Sequence, residues 1–152
     1  MRDTREQKPW DFPEDDNCEG TIATTLKTGD YSLQGLEDKL IIERKGCVSE
    51  WANNVVDERF IRELDRLQHF KYRYILLEFS LRDMLLFPLG SGIPQFKQGG
   101  IKVRGDLMLR KTTEFQLNYN VNIWFCDSSL YAKQVATSIF KRVISRESSS
   151  TT

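Results

Sequence analysis

The segment Tyr72–Phe79 (YRYILLEF) is nearly continuous in large apolar residues. Such a run suits a central strand covered on both faces, because a strand with one wet face alternates apolar and polar side chains. Any fold open to this chain has to bury that segment inside a sheet. Glu78 interrupts the run near its end, where it either approaches a site or pairs with an arginine. Upstream, Val48, Trp51, Ala52, Val55, Phe60, Leu64 and Leu67 recur broadly at three- and four-residue spacing. This predicts an amphipathic helix or a broken pair of helices from about Val48 to Phe70, with Ser49 able to cap its start. Downstream, Leu107–Tyr119 reads as helix and Val121–Cys126 (VNIWFC) as strand. A final helix capped by Asp127 or Ser128 carries a regular apolar stripe of Tyr131, Val135, Ala136, Ile139, Phe140 and Val143. With 152 residues the chain suits one domain with a real core. Residues 145–152 (SRESSSTT) are expected to form a disordered tail, leaving 1–144 as the folded unit.

Nearer the start, Thr21–Leu33 (TIATTLKTGDYSL) is rich in β-branched residues and Lys39–Lys45 (KLIIERK) is a short apolar stretch ending in charge. Both read as strands, and the Gly-centred polar break from Gln34 to Asp38 suits a hairpin loop. A hairpin folded about Leu36 and Glu37 pairs Leu33 with Leu40. It also puts Asp30 opposite Glu43, with Cβ atoms about 4.5–5.5 Å apart. Two like charges held there repel, whereas a divalent cation between them turns the cost into attraction. Carboxylate oxygens suit the hard ions Mg²⁺ or Mn²⁺, and Mg²⁺ commonly takes one or two carboxylates and leaves its other positions to water and phosphate oxygens. Strand side chains alternate, so Lys45 shares the face of Glu43 while Arg44 points to the other. The lysine ammonium can then reach an attacking water or a scissile phosphate, as a metal-assisted phosphodiester-cleaving site requires.

Asp3-Thr4-Arg5-Glu6, Gly29-Asp30-Tyr31 and Glu43-Arg44-Lys45, in that order, resemble the XPF/ERCC4-type nuclease family. Its pattern runs Asp-x-Arg-Glu on a first strand, Gly-Asp on a second and Glu-Arg-Lys on a third. Asp57–Phe60 and Glu63–Leu67 are similar to the family's Arg-bearing helix and the Leu-rich turn after it. Tyr72–Phe79 is similar to its next core strand, and Val121–Asp127 with the following helix to its last strand and helix. The resemblance implies an α/β, restriction-endonuclease-like fold: a central mixed β-sheet flanked by helices in a single domain. It also implies that Asp30, Glu43, Arg44 and Lys45 are catalytic. Asp30 and Glu43 would hold Mg²⁺ or Mn²⁺, with Asp3, Glu6 or Glu50 completing the shell. The implied activity is endonucleolytic cleavage leaving a 5′-phosphate and a 3′-hydroxyl, often at flapped, forked or four-way junction DNA in repair, recombination or replication.

The chain departs from the family pattern in places. The family has a further Asp after the Lys; that position is Ser49 here, with Glu50 next to it. Either Glu50 takes the Asp's place through a one-residue shift, or it occupies the first turn of a helix, where negative charge is favoured. Only Met1 and Arg2 precede the first motif, so its strand is expected to be short. Many relatives carry a helicase or tandem helix-hairpin-helix domain, for which these residues leave no room. A compact bacterial or viral version that works as a homodimer or with a partner protein is therefore expected, with the outer residues of the final helix facing the second subunit.

Net charge is zero with 29% charged residues, so no global field draws in nucleic acid and any DNA affinity must come from a local patch. From Arg82 to Gly105 the chain is rich in Gly and Pro, predicting a long irregular loop of the kind that is commonly functional. Lys97, Lys102 and Arg104 lie in it, and Lys111 on the helix beyond. Spaced cations of this kind can hold a DNA backbone without reading sequence. Arg5 is a further candidate DNA contact. Arg59 is either another or a surface cation paired with Glu63. The cluster Glu14-Asp15-Asp16 reads as a solvated loop, since sequential acids cannot all converge on one ion. Cys18, Cys47 and Cys126 fit neither a disulfide framework nor zinc-ligand spacing, which points to a reducing, intracellular and cytoplasmic setting. No apolar run approaches the roughly 18 residues of a membrane span. Two other readings compete with a nuclease: a catalytically silent DNA-binding or scaffold subunit, and a small nucleotide-binding module. The second lacks any glycine-lysine phosphate loop or dinucleotide fingerprint.

Overall fold

The computed structural model describes residues 1–15 and 18–150. Asp16 of the expected acidic loop and the last two residues of the expected tail lie outside the described residues.

Two short strands, β1 (Arg2–Asp3) and β2 (Ala23–Thr24), pair in parallel. Three more, β3 (Leu40–Lys45), β4 (Tyr72–Leu77) and β5 (Asn122–Phe125), form a parallel sheet in which β4 is central, as its apolar run predicts. Tyr31 joins the two sets, bridging antiparallel to Arg2 on one side and to Ile42 on the other. The sheet is therefore mixed.

Side-chain alternation along β3 and β4 builds two cores. Ile41, Ile75 and Leu77 face α1 (Val48–Asn54), α2 (Glu58–Leu67), α3 (Leu81–Leu86) and α5 (Gly105–Tyr119), meeting Trp51, Leu64, Leu67, Met84, Met108 and Phe115. Leu40, Ile42 and Leu76 face α6 (Ser129–Ser149), where Ala132, Ala136, Ile139 and Val143 close over them together with Trp10 and Tyr31. Burying an aliphatic side chain of this size stabilises by about 1.5–3 kcal/mol, so these two layers clamp the sheet between them and fix its strand ends.

The Val48–Phe70 pattern resolves as the broken pair. α1 ends at Asn54, and Asp57 caps α2 by accepting from the Arg59 amide. Ser49 does not cap α1; Cys47 holds the cap position and makes no side-chain hydrogen bond there. The expected loop between Arg82 and Gly105 is more ordered than its composition implies. α3 starts it with a Ser80/Asp83 capping box, and α4 (Gln95–Gln98) adds a turn before α5. Gly105 is required where it is, because a Cβ there would meet the Leu85 carbonyl oxygen at 2.3 Å.

Two further expectations are corrected. Thr21–Leu33 is not a continuous strand: Ala23–Thr24 pairs with β1, the chain then bends from Lys27 to Asp30, and Tyr31 alone rejoins the sheet. The disordered tail does not begin at Ser145, since α6 runs to Ser149. Its last turns are held because Glu147 accepts from Lys39 Nζ at 2.6 Å, Lys71 Nζ at 2.6 Å and Tyr72 Oη at 3.0 Å. A serine-rich sequence gives no sign of such distant partners.

Candidate active site

Gly29 decides where Asp30 goes. Its φ of +72° suits glycine, and a Cβ there would lie 2.4 Å from Ile41 Cγ1 and Cδ1. The turn it makes presses the chain onto β3, so that the amides of Asp30 and Tyr31 both donate to the Ile42 carbonyl and the Ile42 amide donates back to Tyr31. Tyr31 opposite Ile42 is the register that the predicted hairpin requires, and it sets Asp30 beside Glu43 even though the strand leading in is bent. One Asp30 carboxylate oxygen accepts from the Arg44 amide at 2.7 Å.

Glu43 is 5% exposed and Lys45 6%. Both lie on the α1/α2 side of β3, and Lys45 Nζ donates to Glu43 Oε1 at 2.7 Å while sitting 4.9 Å from the centre of the Phe60 ring. Burial pushes the Asp30 carboxyl up to about 7, against the pull of the Arg44 amide and with help from Glu6. Burial also drives Glu43 up to about 8, with Asp30 adding repulsion that Lys45 only partly offsets. Burial opposes the charge of Lys45, but Glu43, Glu50 and Glu63 outweigh it and keep the ammonium protonated. The two carboxyls thus hold their protons more tightly than free ones, chiefly because they are buried.

A cleft of about 930 Å³ opens over these groups. Asp3, Arg5, Glu6, Asp30, Glu43, Arg44, Glu50 and Arg59 all line it, so most of the residues singled out in the sequence converge here, with Lys45 bonded beneath. Glu50, not Ser49, reaches the cleft; its Oε2 accepts from the Gly46 amide at 2.9 Å and its Oε1 lies 3.7 Å from Lys45 Nζ. Arg59 is exposed on the rim and forms no ion pair with Glu63 among the described residues. Lys97, Lys102, Arg104 and Lys111 do not line the cleft. Lys111 pairs instead with Glu114 at 3.0 Å.

Asp3 and Arg44 turn out to have structural work. Asp3 is 2% exposed, and its carboxylate accepts from the Arg5 amide, Nε and Nη2 and from the Leu26 amide. Hydrogen bonds from Arg5 hold it down at about 2. These hydrogen bonds fix β1 and the Leu26 segment at the cleft wall. Arg44 donates to Glu78 at 2.6 and 2.8 Å and to Glu6 at 3.0 Å, and its guanidinium lies 6.0 Å from the Trp10 ring centre. Trp10 Nε1 donates to the same Glu78 at 2.7 Å. Glu78 is thus an arginine's structural partner at the cleft wall, and Arg44 fixes the floor on which Asp30 rests.

Sequence reasoning missed Glu63, Arg66 and Lys27, which also line the cleft. Glu63 follows Arg59 by one helical turn, and that spacing was the available signal. Among the described residues no three acidic, histidine or cysteine side chains form a ready metal-ligand set. The donor pair still fits a hard divalent ion, since two buried carboxyls with raised proton affinity are the groups such an ion would neutralise, and Mg²⁺ needs no more than one or two of them.

A mixed sheet that brings an acid from a glycine turn, and an acid and a lysine from the next strand, into one cleft is the arrangement of a restriction-endonuclease-like nuclease domain. The sequence matches the ERCC4 domain over residues 2–138, and the chain belongs to that family of nucleases. The fold is similar to XPF from Aeropyrum pernix in complex with DNA, with a TM-score of 0.58 and 21% identity over 82% of this chain and 54% of that one. It is similar also to a second structure of XPF from Aeropyrum pernix, at 0.56 and 20% over 80% and 49%. The chain spans about half the length of these proteins. No curated protein matches it. No described helix is long and apolar enough to cross a membrane.

Proposed function

We propose that this domain is a divalent-metal-dependent endodeoxyribonuclease that hydrolyses phosphodiester bonds in branched DNA such as flaps, forks and junctions. The observation that carries the reading is the buried pair of Asp30 and Glu43, with Lys45 bonded to Glu43, at the floor of an open cleft.

Asp30 and Glu43 would hold Mg²⁺ or Mn²⁺, with Asp3, Glu6 and Glu50 the remaining candidates within the cleft. Such an ion, when bound, supplies an acidified water and polarises the phosphate. Glu43 orients the Lys45 ammonium, whose charge offsets that which develops on the phosphate in the transition state. Arg5, Arg59 and Arg66 on the walls suit the flanking phosphates. Arg44 acts through Asp30 and the wall rather than on substrate, which makes it a positioning residue. Roles in repair, recombination or replication, and an intracellular setting, follow from the same reading.

The test is cleavage of labelled flap, fork and four-way junction DNA with Mg²⁺ or Mn²⁺. Wild type is expected to cut at least one substrate, and Asp30→Ala and Lys45→Ala to cut none. Wild type that binds all of them and cuts none would instead make this a silent scaffold subunit.

A homodimer is part of the proposal. Among the described residues β5 pairs only with β4, making it an edge strand, and Trp124 on it and Leu130 and Tyr131 beyond it are 52%, 63% and 51% exposed. Together with Tyr72, Tyr74, Ile139 and Val143, Trp124 and Tyr131 line a groove of about 660 Å³ along α6. An edge strand with an aromatic face favours a second copy. Trp124→Glu with Tyr131→Glu is expected to convert a dimer to a monomer in light scattering; an unchanged mass would place the interface elsewhere.

A further inference from the structure

Phe96 is 84% exposed, the highest value among the large hydrophobic residues described, and no burial accounts for it. It lies on the short α4, where Lys97 Nζ sits 5.7 Å from its ring centre. Lys102 and Arg104 follow within a turn or two, and Arg104 Nη2 is tied to the Gln98 carbonyl at 3.2 Å, which draws this arginine back to α4. From Met84 to Gly105 the sequence contains those three cations and no acid, in a chain whose overall charge is zero. None of the three enters an ion pair among the described residues. An aromatic face in water, beside one lysine and on a stretch that carries two further cations and no acid, has the chemistry of a stacking platform for an unpaired base whose flanking phosphates meet the cations. A peptide partner would need only the apolar face; the exclusion of acids over this stretch favours a polyanion.

Resting on the nuclease reading, we propose that Phe96 is a selectivity residue: it stacks on an unpaired nucleotide of branched DNA while Lys97, Lys102 and Arg104 hold the adjoining backbone. The Phe96 ring discriminates between paired and unpaired substrate, and the cations supply affinity to both. This surface lies outside the cleft, so it selects substrate without touching the reacting phosphate.

The experiment uses the full chain in EDTA, so that binding is read without cleavage. One probe is a fluorescein-labelled flap oligonucleotide, and a fully paired duplex of the same sequence is its control. A second flap probe carries 2-aminopurine at the first unpaired position. Phe96→Ala is expected to weaken flap binding about tenfold, on the scale of one lost stacking contact, to leave duplex binding unchanged and to relieve the quenching of 2-aminopurine. Phe96→Trp should preserve both. Lys97→Ala, Lys102→Ala and Arg104→Ala combined should weaken both substrates and lower the salt slope by about two. Equal binding of flap by wild type and Phe96→Ala, with 2-aminopurine unmoved, overturns the proposal, and is the result expected if the patch docks a protein instead. Because no step depends on cleavage, a wild type that stacks the probe but cuts nothing sinks the nuclease reading and leaves this one standing.

Discussion

Asp30→Asn is expected to abolish DNA cleavage while making the metal-free protein more stable. Asn keeps an oxygen for the Arg44 amide, which Asp30 now receives at 2.7 Å, so the turn at Gly29 has no reason to move. What disappears is a carboxyl that burial and nearby acids make costly to ionise. At about pH 8 the gain should be about 1 kcal/mol, a rise of roughly 2–4 °C in Tm for a domain of this size. Cleavage should fall by about 10³-fold or more, the scale of losing one preorganised electrostatic group. Glu43→Gln should cut as poorly but gain less in stability. It leaves the buried Lys45 ammonium with a neutral amide in place of its 2.7 Å carboxylate partner, and Glu50 is 3.7 Å away. The weakened bond to Lys45 offsets part of what is gained by removing an acid that burial makes costly to ionise. Melting curves at one pH, beside a cleavage assay, separate the outcomes. An Asp30→Asn variant that melts lower than wild type, or that cuts at the wild-type rate, removes the case for an acid pair that burial makes costly to ionise.

The metal-free protein should lose stability as pH rises through neutrality. The folded-state carboxyls of Asp30 and Glu43 are raised to about 7 and about 8, so the folded chain keeps protons that the unfolded chain has already released. The stability they contribute is complete below the ordinary carboxylate range and is lost as pH climbs through those two values, by a few kcal/mol in all. Asp3 and Glu147, both held at about 2 by hydrogen-bonded cations, act at the other end. Their contribution is present above the ordinary range and fades as pH falls toward 2. Tm in EDTA should therefore peak at about pH 4 and decline toward about pH 8. Mn²⁺ should restore the alkaline side, because an ion that displaces these protons binds more tightly as pH rises. A flat or rising metal-free Tm between about pH 6 and about pH 8.5 would contradict the raised proton affinities.

Much of the candidate site is legible in the sequence, for a specific reason. The hairpin register depends only on strand alternation and on where the chain turns, and both are local. Asp30 beside Glu43, with Lys45 on the same face and Arg44 on the other, follows from that counting. The central strand was equally clear, since Tyr72–Leu77 is too apolar to face water. Failures came where a distant partner overrides local preference. Thr21–Leu33 has strand composition, yet the chain bends because Gly29 packs against Ile41 and the Asp3 carboxylate captures the Leu26 amide. Ser145 onward looks disordered, yet Glu147 is held by side chains from β4 and the loops that precede β3 and β4.

The sequence by itself determined the chemistry: two acids and a lysine at spacings that put them on one face, an ordered set of motifs, and a buried strand to carry them. Spacing suffices for this because backbone geometry has a fixed period. Only the tertiary structure decided which partners each charged group takes. Asp3 and Arg44 carry motif identities like those of Asp30 and Lys45, but packing gave Asp3 to Arg5 and Leu26, and Arg44 to Glu78 and Glu6. It also left the Phe96 ring in water. Partners remote in the chain set burial and the count of satisfied hydrogen bonds, and no local period fixes either of these two quantities.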